Sequence, residues 1–196
     1  MKFADKTPRR VFFKKSVTGT IALGAGAPLI AALLQSFTVE AEAISFGDAP
    51  VAATEKEFRQ GVIGPAELSL ITSQMAVSKA TNKNVKEFAG FELEEAKAVT
   101  AVLKDLGTPV PSMDAKAKAT LDKIKSAQGA AFDKAYIKAQ LENHEFLRDL
   151  AQNYLKNSVG KSGAAESQGR HLATLALSTF KEHVAITKRI MGELGV

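Results

Sequence analysis

From Thr54 onward, apolar residues recur at steps of three and four, the period that gathers side chains on one face of an α-helix. The segment TEKEF opens the pattern, with Thr54 and Glu57 at the S/T-x-x-E spacing of a capping box, which marks a helix start. Phe58, Val62, Ile63, Leu70, Ile71, Met75 and Val77 carry the stripe to about Ala80. Gly64-Pro65 interrupts it, and either kinks one long helix or makes Pro65 the first residue of a new one. A second helix is expected from about Asn84 to Leu106 on Val85, Phe88, Phe91, Val99, Val102 and Leu103. The sequence GTPVPS ends it, because Gly107 suits a left-handed cap and the two prolines prevent continuation.

A shorter, lysine-rich helix follows over roughly Asp114 to Ser126. The next runs from about Ala130 to Leu155 on Phe132, Tyr136, Ile137, Leu141, Leu147, Leu150 and Tyr154. After the loop NSVGKSG, the last helix, about Ala164 to Leu194, uses Leu172, Leu175, Phe180, Val184, Ile186, Ile190 and Leu194. No segment sustains period-two alternation with β-branched residues, so strands are not expected. The fold class is therefore all-α. Long helices that are apolar on one face must bury that face together, which predicts a four-helix bundle with the short helix in the crossover.

The start of the chain has a different pattern. Six basic residues lie between Lys2 and Lys15 against the single acid Asp5, and Ser16 to Val39 carries no charge. A basic segment followed by an apolar one is the layout of an export signal. Ala41 and Ala43 supply small residues at minus three and minus one, so cleavage is expected after Ala43. TPRRVFFKK resembles the twin-arginine export motif, with Pro8 and Phe13 in place of its Ser/Thr and Leu. A retained membrane anchor and an ordinary Sec signal are the alternatives, although Gly19, Gly24, Gly26 and Pro28 dilute the apolar run. The domain organisation read from this is an export signal over 1–43, a flexible tail over 44–53 and a helical domain over 54–196. The expected location is the periplasm, with envelope association as a variant.

Charge then narrows the function. The whole chain is +5, but 6 basic and 3 acidic residues fall within 1–43, leaving 20 and 18 in the remainder. A net charge near +2 with alternating signs gives no nucleic-acid footprint. With no cysteine, lipid attachment through a lipobox, disulfides and thiolate metal sites are excluded. VGKSG is not a phosphate loop, since the position that needs a leading Gly is Leu155 and the upstream element is helical. HEFLR is not a zinc-protease motif, because its fifth residue is Arg148.

One constellation carries chemistry. If the first helix is continuous, Glu67, Glu95, His144 and His183 each lie near the middle of a different long helix, on or beside its apolar stripe. Midpoints of antiparallel helices share a layer, so two carboxylates and two imidazoles could converge. A buried charge requires a partner, so the four would either satisfy one another by hydrogen bonds or hold iron, manganese or zinc. No organic cofactor is indicated. His171, beside Arg170, reads as a surface residue.

At NVKEFA, FDKAYIKAQLENHEFL and FKEHVAITKRI the chain resembles a bacterial family of exported proteins of unknown function, often labelled outer membrane proteins and placed among the ferritin-like bundles. The resemblance spans about Phe58 to Leu194 and implies a ferritin-like fold, with no established activity. The family usually has Asp-His where this chain has Glu95-Ala96, and no histidine here follows a Glu at the Glu-x-x-His spacing of di-iron ferritins. Two functions are therefore expected: a non-enzymatic interaction or stress-related role with a protein or envelope partner, or metal binding through Glu67, Glu95, His144 and His183. Membrane contact would be only through an uncleaved signal segment.

Overall fold

A computed structural model describes residues 51–195. The export-signal reading of 1–43 and its cut after Ala43 lie outside the described residues. Five helices and no strands make up the described chain: α1 Glu55–Lys79, α2 Lys83–Asp105, α3 Ala115–Ser126, α4 Gly129–Asn157 and α5 Ala164–Leu194. Among the described residues, no helix is long and apolar enough to cross a membrane.

The local signals act as their chemistry predicts. Thr54 Oγ1 accepts the Glu57 amide at 3.2 Å, while the Glu57 carboxylate accepts the Thr54 amide at 3.0 Å. Each satisfies an amide that the first turn leaves without an intrahelical partner. The residues ahead of α1 are tied down as well: Ala52 is buried, and the Ala53 carbonyl accepts Lys161 Nζ at 2.6 Å. Asn82 caps α2 through the amides of Asn84 and Val85, and Asp114 caps α3 through Ala117. Gly107, at φ +72°, turns the chain out of α2 in a conformation that L side chains resist.

Pro65 lies inside α1, which is continuous. Proline has no amide hydrogen, so it cannot close the usual bond to the Gly61 carbonyl one turn earlier. Gly61 serves a second purpose, because a Cβ there would come within 2.6 Å of Leu150 Cδ2. The missing side chain lets α1 and α4 approach closely, and the Pro65 carbonyl accepts Asn143 Nδ2 of α4 at 3.2 Å.

α1 packs against α2 and α4, α4 against α5, and the short α3 against α4 and α1. Contacts descend along one partner as they climb the other, as in Ser69 with Gln140 and Ser73 with Tyr136 for α1 and α4. The same holds for Glu92 with His183 and Asn84 with Glu193 between α2 and α5. These pairs are therefore antiparallel.

Two large apolar clusters fill the interior, beside a small third one of Leu68, Ala117 and Leu121 under α3. One gathers Phe58, Val62, Leu147, Leu150, Tyr154 and Phe180. The other gathers Val85, Phe88, Phe132, Tyr136, Ile137 and Ile190. Two stripe assignments need correction. Phe91 and Val102 of α2 are exposed, as are Leu172 and Leu175 of α5. The inward face of α2 instead follows Val85, Phe88, Ala89, Glu92, Ala96, Thr100 and Leu103, rotated by about one residue from the line of its largest apolar side chains.

Candidate metal centre

Between the two apolar clusters lies a polar layer contributed by three helices. Glu92 of α2, His144 of α4 and His183 of α5 are all buried, at 3%, 1% and 7% exposure. Glu92 falls one turn after Phe88 and one before Ala96, so the packing of small and aromatic neighbours points it inward. Aromatic rings hold the imidazoles in place. Phe88 meets His183 edge-on at 5.2 Å and His144 at 6.3 Å, and Phe180 lies 6.1 Å from His144 on the other side.

Glu92 Oε2 stands 3.2 Å from His144 Nε2 and 3.0 Å from His183 Nδ1, and the two nitrogens are 3.1 Å apart. Three donor-type atoms thus form a nearly equilateral triangle. Oε2 is buried, and neither of its contacts has hydrogen-bond geometry.

The outer ring nitrogens decide what the inner ones present. His144 Nδ1 lies 2.7 Å from the Gln140 carbonyl, which can only accept, so Nδ1 carries the hydrogen and Nε2 of the neutral ring offers a lone pair. His183 Nδ1 and His144 Nε2 are in hydrogen-bond contact at 3.1 Å, and because Nε2 of the neutral His144 ring accepts, His183 Nδ1 is the donor; His183 Nε2 faces Glu95 Oε2 at 3.4 Å. With the His183 hydrogen moved to Nε2, where the Glu95 carboxylate can accept it, two neutral imidazoles and a carboxylate would offer three lone pairs to one cation.

The ionisation tendencies agree with this account. Burial pushes the Glu92 carboxyl up, but the charges of the two imidazoles and their contacts outweigh it and hold the group at about 2. For His144 burial works downward, and the Glu92 carboxylate overcomes it to leave the ring more basic than usual. Glu95 is raised, chiefly by burial.

Of the four residues singled out in the sequence, His144 and His183 come together, and Glu95 touches the outer nitrogen of His183. Glu67 turns to Lys104, with Oε1 2.6 Å from Nζ. His171 is exposed. Among the described residues, the His/Asp/Glu group whose ligand atoms converge is Glu92, His144 and His183. Glu92 was missed because Phe91 drew the apparent stripe towards Glu95; the small residues Ala89 and Ala96, one helical step to either side, were the available signal.

Fold and site together define an all-helical protein with a buried two-histidine, one-carboxylate group. The chain belongs to the family described as a domain of unknown function, DUF4142, whose model matches residues 45–190. Searches of the curated proteins and of the solved structures gave no match.

Proposed function

We propose that this is an exported, periplasmic protein of ferritin-like four-helix architecture that binds one divalent transition-metal ion through Glu92, His144 and His183. The observation that carries the metal reading is the triangle of ligand-type atoms with 3.0–3.2 Å edges. Donors held about 2.1 Å from one ion stand about 3.0 Å apart at right angles and about 3.4 Å apart at tetrahedral angles. The edges therefore suit one face of an octahedron. That geometry, with two imidazoles and one carboxylate, favours iron(II) or manganese(II) over zinc.

Both histidines also have the outer partners that metal-ligating histidines commonly use, a backbone carbonyl for His144 and a carboxylate for His183. These contacts favour metal binding over a purely structural polar pair or an interaction role alone. Four long helices in antiparallel contact support the ferritin-like reading, and the basic and apolar opening of the chain supports export. The test is metal analysis of protein purified without a histidine tag and reloaded under anaerobic conditions. About one equivalent of iron or manganese is expected, and its loss in His144→Ala. Less than a tenth of an equivalent in the unaltered protein would sink the reading.

A further inference from the structure

We propose that the open half of the seam between α2 and α5 is the surface through which two copies of this chain pair, a role separate from the metal reading above. At one end of the seam the two helices are tied together. Asn84 Nδ2 donates to Glu193 Oε2 at 2.7 Å, and Glu92 and Glu95 both face His183. Along α2 from Glu95, Val102 lies about two turns on and Leu106 three; the same steps back along the antiparallel α5 from His183 reach Leu175 and Leu172. Val102 is therefore level with Leu175 across the seam, and Leu106 with Leu172. Helices closed on each other would bury these pairs, yet Val102 is 46% exposed and Leu175 70%.

An apolar face left open on a surface rich in charge marks a contact site, and its chemistry selects its own copy. Residues 98–103 of α2 and 172–180 of α5 contain no charged side chain, so the centre of the face has nothing to attract a charged partner, and two copies meet there without like-charge repulsion. Its relief has two parts. α5 presents Leu172 and Leu175, while α2 presents the exposed Ala98 and Ala101 beside Val102. With a twofold axis along the seam, α5 of each copy lies antiparallel on α2 of the other at the same level, and the leucines of each fill the hollow left by the alanines of the other. Such a contact is isologous and closes at two copies. The exposed Phe91 extends the face at one end, so it runs about 22 Å along α2 and is two helices, or about 20 Å, wide. That footprint is at the small end of specific interfaces, which sets dissociation in the micromolar range.

The untagged protein, isolated from its own cells, is followed by sedimentation from low micromolar to near-millimolar concentration. A monomer–dimer equilibrium is expected, weakened at least a hundredfold in Leu175→Glu and, independently, in Val102→Lys. Helical circular dichroism should stay unchanged in both, because the two side chains already face solvent. The chain has no cysteine, so Ser178→Cys, exposed one turn from Leu175, gives a single thiol on the face. Its alkylation is expected to slow at least tenfold as the dimer forms. A monomer throughout the range, or a dimer that both charged variants leave intact, overturns the proposal. Protection of the thiol that does not depend on concentration also overturns it, and is the result expected if another part of this chain covers the face. None of these outcomes bears on the metal reading, which metal content decides.

Discussion

Two buried polar regions lie side by side on α4, and they answer the cost of burial in opposite ways. Towards α1, Gln140 and Asn143 meet Ser69, Thr72 and Ser73 in a neutral network. Ser69 Oγ donates to Gln140 Oε1 at 2.9 Å, Gln140 Nε2 donates to Thr72 Oγ1 at 3.0 Å, and Asn143 Nδ2 donates to Ser69 Oγ at 2.9 Å. Ser73 and Tyr136 share a further bond of 2.8 Å. Towards α2 and α5, His144 Nε2 meets His183 Nδ1 in a hydrogen bond of 3.1 Å and lies 3.2 Å from Glu92 Oε2 without one. In the first region every buried polar side-chain atom except one potential acceptor, Asn143 Oδ1, is matched, which lowers the penalty for burying polar atoms and fixes the register of α1 on α4. In the second, the buried Glu92 Oε2 has no hydrogen-bond donor although two imidazole nitrogens lie within 3.2 Å of it. That difference separates a layer that ties α1 to α4 from a titratable one that could hold a cation.

Exchanging the two regions' roles by mutation gives the largest expected effects. Glu92→Ala should lower iron(II) affinity by more than about 1,000-fold, since it removes the one anionic donor. At pH 8 its metal-free stability should change by only about 1 kcal/mol, because His144 can lose its extra proton and leave no uncompensated charge. Gln140→Ala should do the reverse. It strips partners from Ser69 and Thr72 and opens a cavity, costing about 3 kcal/mol, while metal affinity moves by less than tenfold because the Gln140 backbone carbonyl still holds His144. Denaturant melts and competitive metal titrations of both variants provide the four numbers. Equal loss of stability in the two would erase the distinction.

Acidity should separate the regions next, because only one of them titrates. In the metal-free protein the depressed Glu92 contributes stability that is present above the ordinary glutamate value and lost as the pH falls towards about 2. The raised His144 contributes stability that is complete below the ordinary histidine value and lost as the pH climbs through its elevated one. The metal-free site is thus most stabilising between those limits, at mildly acidic pH, and declines into the alkaline range. Metal affinity should run the other way, rising by up to about tenfold per pH unit while a proton must leave His144. Melts and metal titrations from pH 5 to 9 are expected to show opposed slopes, both flattened in Glu92→Gln. Parallel slopes would mean that proton and metal do not compete for the same lone pairs.

The two regions were not equally readable from the chain. The start of α1 and the stop of α2 were legible, because Thr54 with Glu57 and Gly107 act through bonds within a few residues of themselves. His144 and His183 were legible as the histidines on apolar faces. The inward line of α2 was not. Periodicity locates a stripe by its largest apolar residues, and Phe91 and Val102 occupy the wrong side of it, with Phe91 68% exposed. A rotation of about 60° exchanged Glu95 for Glu92. The neutral network escaped notice for a related reason: Ser69, Thr72 and Ser73 look like solvent-facing residues until Gln140 and Asn143 are brought against them. Small polar residues become core only through partners that are distant in sequence.

The smallest effects concern the two carboxylates that flank the site without joining it, and they sharpen its boundary. Glu95 meets the outer nitrogen of His183, so Glu95→Gln should weaken metal binding by about tenfold, the size expected when a ligand's orienting partner loses its charge. Glu67→Gln should leave metal affinity unchanged within twofold and cost less than about 1 kcal/mol of stability. Its partner Lys104 is about half exposed, and water screens such a pair. Competitive metal titration and thermal melts of the two variants decide the matter. If Glu67→Gln weakened metal binding as much as Glu95→Gln, the influence of charge would have to reach the ion through the general field of the protein, and the outer contact to His183 would lose its special standing. A tenfold effect confined to Glu95 would show that the site's influence ends at the atoms that touch its ligands.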